Sequence, residues 1–127
     1  MMRAAVENRG DAMIVPVGVL STLSDEEVFN SFAGTRKNLM PHFASMAKNA
    51  GTQGFVCSVP ELGLIKKKHN LSQIPLIAVG IREKNEPADD QKRVGTLEEA
   101  LTGEASLVVL GRSFFRSPKL YIPTWRG

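Results

Sequence analysis

Three segments of the chain carry the same polar signature: Ser24-Asp25-Glu26-Glu27, Ser58-Val59-Pro60-Glu61 and Thr96-Leu97-Glu98-Glu99. In each, a hydroxyl residue stands three positions ahead of a glutamate. The hydroxyl can accept from a free N–H of the first helical turn while the glutamate reaches back to the backbone of the cap, which is a capping box. Each box therefore predicts a helix start, and the intervals between them match one strand-plus-helix unit. Apolar, β-branched runs over Met13–Leu20, Gly54–Cys57, Ile74–Val79 and Leu107–Leu110 read as strands. Between them, Val28, Phe29 and Phe32 line one face of a helix ended by Gly34. Phe43, Met46, Ala47 and Ala50 line a second, Pro41–Ala50, stopped by Gly51. Leu62, Leu64 and Ile65 continue the helix after Ser58 to about His69, and Met1–Asn8 reads as the end of a helix stopped by Gly10.

Apolar strands alternating with capped helices predict an α/β fold with a parallel sheet. About four strand-helix units are visible. A closed (β/α)8 barrel takes roughly 250 residues, and this chain has 127. The pattern thus predicts either a partial TIM-type barrel or a small open α/β sheet, and periodicity alone does not choose between them. The organisation expected is a barrel-like unit over residues 1–117 followed by an irregular tail, 118–127, which holds two prolines and a Trp.

Hydrophobic content of 43% and charged content of 23% suit a globular core. No apolar run has the length of a membrane span, and no basic region followed by an apolar stretch suggests a secretory signal. The single Cys57 has no internal partner, which fits a reducing, cytoplasmic setting. A net charge of +3 is mild. Only Lys66-Lys67-Lys68 is clustered, it reads as the solvated end of a helix, and no aromatic platforms accompany it, so a nucleic-acid partner is not expected. His42 and His69 do not form a metal-ligand spacing.

The residues with chemical promise lie in the last third. Gly80-Ile81-Arg82 and Gly111-Arg112 each follow an apolar run, and the polar loop Gly80–Gly95 with Asp90-Gln91-Lys92-Arg93 lies between them. In a barrel, loops after the C-terminal strand ends build the site, and those after the last two strands often hold phosphate. Glycine lets a phosphate approach backbone N–H groups, and Arg82 and Arg112 each offer a planar fork of donors. Gln91 could add a neutral donor, and Ser21 and Thr22, at the end of the first strand run, could meet a base or sugar edge. The alternative for the glycines is simple chain turning, and for Ser21 and Thr22 ordinary capping. Cys57 reads as a small buried residue. Nothing resembles a strong acid–base or nucleophilic centre.

These segments, together with Thr96-Leu97-Glu98-Glu99-Ala100, Val108-Val109-Leu110-Gly111-Arg112-Ser113, Gly54–Ser58 and Val19–Leu23, resemble the C-terminal half of orotidine 5′-phosphate decarboxylase. The similarity runs from residue 1 to about residue 117. It implies a dimerising (β/α)8 barrel that removes carbon dioxide from orotidine monophosphate to give uridine monophosphate without a metal or cofactor. By the same resemblance, Arg82, Gly111 and Arg112 would bind the phosphate, Gln91 would bridge phosphate and base in a closing loop, and Ser21 would contact the pyrimidine. The family's proline before Gly-Ile-Arg is Val79 here. Its proton-transferring Asp-x-Lys-x-x-Asp motif belongs to the N-terminal half, so no catalytic residue is expected in this chain. The implied partners are a nucleotide monophosphate and either a second copy of the chain or the missing N-terminal half.

Overall fold

A computed structural model describes residues 1–121; the expected tail beyond them, 122–127, lies outside the described residues. The elements run α1 (Met2–Glu7), α2 (Asp25–Phe32), α3 (Arg36–Asn49), β1 (Phe55–Ser58), α4 (Leu62–Lys66), β2 (Leu76–Val79), α5 (Leu97–Thr102), β3 (Leu107–Val108) and α6 (Arg112–Arg116), with short 3-10 turns at Val59–Glu61, His69–Leu71 and Pro118–Leu120. The three strands form one parallel sheet in the order β1-β2-β3. Phe55 lies opposite Leu76, and Ile77 opposite Leu107. This is the expected α/β architecture with a parallel sheet.

The capping signature has a local physical cause, and its glutamate half is visible at all three places. Ser24 Oγ accepts from the Glu27 N–H at 3.2 Å while Glu27 accepts from the Ser24 N–H at 2.7 Å. Thr96 and Glu99 repeat the exchange at 3.1 and 2.8 Å. Glu61 accepts from the Ser58 N–H at 2.8 Å. The helix after Ser58 is shorter than expected: it begins as a 3-10 turn and its α-helical part ends at Lys66.

Three further expectations change. Met13–Leu20 is not a full strand. It runs beside β1, with the Val56 N–H donating to Pro16 O at 2.9 Å and the Gly18 N–H to Val56 O at 3.2 Å, but only Val17 bridges to Val56. Pro16 has no N–H to give the ladder, and the carbonyls beyond it turn away to a side chain. Arg36, 5% exposed, donates to the carbonyls of Val19, Leu20 and Leu23 at 3.5, 2.9 and 2.5 Å. Second, α3 begins at Arg36, not Pro41, which sits inside the helix. Third, α2 closes through Ala33 rather than Gly34: Ala33 takes the left-handed conformation at φ 51° and donates to Phe29 O.

The core lies on one face of the sheet. Alternate strand residues point to opposite faces. Phe55, Cys57, Leu76 and Ala78 face the helices and are buried with Met40, Ala44 and Ala47 of α3, Leu62 and Ile65 of α4, Val28 and Ala100. Each large apolar side chain buried in this way contributes roughly 1.5–3 kcal/mol relative to exposure. The other face is also apolar, with Val56, Ile77, Val79, Leu107 and Val109, yet Leu107 and Val109 are 60% and 51% exposed and the other three are half-buried. Beyond α6, Tyr121 is buried and its ring lies 6.3 Å from that of Phe114, so the first part of the tail is packed onto the domain.

Candidate functional site

The site candidates come from two strand ends and the loop between them. Gly80 ends β2 at φ 76°, and a Cβ there would stand 2.5 Å from the Arg93 carbonyl oxygen. The glycine therefore lets the loop return close beside the strand it left. The Gly95 N–H donates to Gly80 O at 3.1 Å and the Arg82 N–H to Gly95 O at 2.9 Å, closing the loop at its base. Ser21 is bound to the same loop. Its carbonyl accepts from the Lys92 and Arg93 N–H groups at 2.8 and 3.1 Å, and its hydroxyl donates to Gln91 Oε1 at 2.5 Å. Two residues that sequence places seventy positions apart are thus in direct contact.

Arg82 is 7% exposed. Its guanidinium donates to Ile81 O at 2.7 Å, to Pro87 O at 3.1 Å and to Asp89 Oδ2 at 3.4 Å. Arg112 opens α6 and is half-exposed; it meets Asp90 Oδ1 at 2.5 Å and Asp89 Oδ2 at 3.6 Å. The bond to Arg112 holds the Asp90 carboxyl below the usual carboxylate range, and the same bond raises the Arg112 guanidinium. Gly111 has no atom within 4 Å of where a Cβ would stand, so the backbone beside Arg112 faces open space. Arg82, Arg112 and the Ser21–Gln91 pair are therefore all attached to one loop, Arg82 and Arg112 through Asp89 and Asp90, Ser21 through Gln91.

Two partners in this cluster escape the sequence reading. Arg116 binds both oxygens of Asp89 at 3.0 Å. Ser113, fully buried, donates to the Glu86 carboxylate, which this hydrogen bond holds below its ordinary pKa. Arg116 lies one helical turn beyond Arg112, a signal available once α6 is assigned. Cys57 is separate from the cluster, and burial pushes its thiol up to about 12, so it is protonated at neutral pH. A cleft of about 270 Å³ lies elsewhere, around Asp25, Arg36, Glu61 and Arg93, and includes none of the five candidates.

The sequence profile of the orotidine 5′-phosphate decarboxylase / HUMPS family matches residues 1–120. This chain belongs to that family. It is 32% identical over 117 residues to orotidine 5′-phosphate decarboxylase of Hahella chejuensis, covering 91% of this chain and 50% of that protein. It is 34% identical over 120 residues to the orotidine 5′-phosphate decarboxylase of Thermobifida fusca, covering 93% and 51%. The chain spans about half the length of these relatives. The crystal structure of orotidine 5′-phosphate decarboxylase from Lactobacillus acidophilus superposes with a TM-score of 0.61 at 24% identity, over 79% of this chain and 40% of the other. That likeness in fold is consistent with the three-stranded sheet and its helices forming a partial barrel. Among the described residues, no helix of this family member is long and apolar enough to cross a membrane.

Proposed function

We propose that the chain is the C-terminal, phosphate-holding half of an orotidine 5′-phosphate decarboxylase and that it binds a nucleoside monophosphate through Arg82, Gly111 and Arg112, with Gln91 and Ser21 toward the base. The observation that carries this reading is the convergence of Arg82 and Arg112 on one carboxylate, Asp89. Two guanidinium groups that reach the same anion from two strand ends have the disposition needed to share a phosphate. Open space at Gly111 leaves the backbone approachable beside them. The 127 residues contain no Asp-x-Lys-x-x-Asp, so the chain by itself supplies binding and not the proton transfer. Calorimetric titration with uridine monophosphate tests the reading. The parent chain binds, and Arg112→Ala weakens binding about 10- to 100-fold, the range for losing a hydrogen bond to a charged group. A parent chain that does not bind would refute it.

The second apolar face of the sheet favours a further element of the same reading. A parallel sheet is normally covered on both faces, and the face carrying Val56, Ile77, Leu107 and Val109 is only half covered, with Leu107 and Val109 exposed. We propose that a complementary half-barrel, or a second copy of this chain, closes over it. The other side of β3 is also a free edge among the described residues. Sedimentation equilibrium of the chain, whose monomer mass is 13.9 kDa, gives twice that mass if copies pair. A strict monomer that also ignores an added N-terminal half would refute the pairing.

A further inference from the structure

The arginine cluster is already filled, and by the chain itself. Asp89 Oδ2 lies 3.4 Å from Arg82, 3.6 Å from Arg112 and 3.0 Å from Arg116. Three guanidinium groups from two separate strand ends thus converge on one carboxylate. Asp89 reaches them from a left-handed backbone conformation, φ 56°, that non-glycine residues seldom adopt, although Asp tolerates it better than most. The neighbouring acids strengthen the attachment: Asp90 binds Arg112, and Glu86 binds Ser113. Arg82 is nearly buried, and its remaining donors go to the Ile81 and Pro87 carbonyls. A carboxylate and a phosphate oxygen compete for the same donors.

We infer that Asp89 is an internal anion that occupies the phosphate-binding arginines and must leave before a phosphate can enter. The inference rests on the proposed phosphate site and adds a self-inhibiting contact to it. The loop 83–90 is then a strap held down by its own acids in the empty protein, and ligand phosphate exchanges with it. The apparent affinity is the intrinsic affinity of the arginines multiplied by the fraction of molecules in which they are free. If the strapped form is about nine-tenths of the population, its removal tightens the apparent Kd about tenfold.

The test measures uridine monophosphate and inorganic phosphate binding to the full chain by calorimetry, in parallel for the parent, Asp89→Asn, Asp89→Gly and Asp11→Asn. Asparagine and glycine both accept the left-handed conformation, so one of the two variants at 89 remains folded even if the other does not. Asp11 is exposed and makes none of the contacts in the cluster, so Asp11→Asn reports the effect of net charge alone. The expected result is about tenfold tighter binding of both ligands for the variants at 89 and a change under about twofold for Asp11→Asn. Equal affinity in the parent and the variants at 89, or equal gains in those variants and Asp11→Asn, would overturn the strap and leave the phosphate site standing. Binding by none of the four proteins would overturn both.

Discussion

Glu61→Ala lowers the stability of the domain by about 3–5 kcal/mol. Glu61 is 1% exposed and sits 3.2 Å from Arg36, itself 5% exposed. The alanine removes the buried partner and leaves the guanidinium only the exposed Asp25 carboxylate as counter-ion, and breaking a buried pair is costly. The loss reaches further than one pair. Glu61 also accepts from the Ser58 N–H at the end of β1, and Arg36 gathers the carbonyls of Val19, Leu20 and Leu23 and contacts Asp25 at 3.3 Å. A single carboxylate therefore joins β1, α3 and the segment that leads into α2. Urea unfolding followed by far-ultraviolet circular dichroism gives the measurement. Domains of this size have only about 5–15 kcal/mol in hand, so the midpoint falls sharply. Glu61→Gln, which keeps an acceptor, costs less. A loss below about 1 kcal/mol for the alanine variant, within the range of exposed pairs, would show that the pair does not organise this end of the sheet.

Gly80→Ala has the second largest effect, about 2–3 kcal/mol, and it removes ligand binding as well. An alanine at φ 76° costs roughly 1–2 kcal/mol on backbone grounds, and its Cβ would meet the Arg93 carbonyl oxygen at 2.5 Å, where backbone has to move. Arg93 and Lys92 are the residues whose N–H groups hold Ser21. The displacement is therefore passed to the Ser21–Gln91 contact and to the Asp89–Asp90 corner beside the arginines. Gly111→Ala is the contrasting control. Nothing lies within 4 Å of the new methyl, so it meets no backbone of the kind that an alanine at 80 would meet. Parallel urea curves and uridine monophosphate titrations of the two variants separate a fold-supporting glycine from one that only leaves space. Equal stability of the two variants would refute the close-approach argument at Gly80.

What could be read from sequence follows the range of the interactions. Capping boxes are local, so Ser24, Ser58 and Thr96 announced their helices without tertiary information. β1, β2 and β3 were readable as apolar runs because parallel strands are covered by helices. Met13–Leu20 has the same composition, but its ladder is interrupted by Pro16 and by Arg36, and nothing near residues 13–20 in sequence reveals that an arginine at the start of α3 collects the Val19 and Leu20 carbonyls. Glu61 was legible as a cap and not as half of a buried ion pair, since its partner is 25 positions away. In the candidate site, the glycine–arginine pairs marked the two strand ends. The acids Glu86, Asp89 and Asp90 read only as a polar loop, because which cation a loop carboxylate reaches depends on how the loop folds back, and here Gly80 decides that.

The order of strands in the sheet bears on how the chain acquires its structure during synthesis. Every strand pairs with the one before it, Phe55 with Leu76 and then Ile77 with Leu107. A ribosome releasing this polypeptide exposes β1 before β2 and β2 before β3, so each later strand finds a formed edge on which to add. Connections between neighbours keep the loops to be closed short, the topological condition for rapid folding. Growth by accretion leaves the newest strand as the sticky one at every stage. Among the described residues that strand is β3, whose open edge is the surface on which a further unit would add.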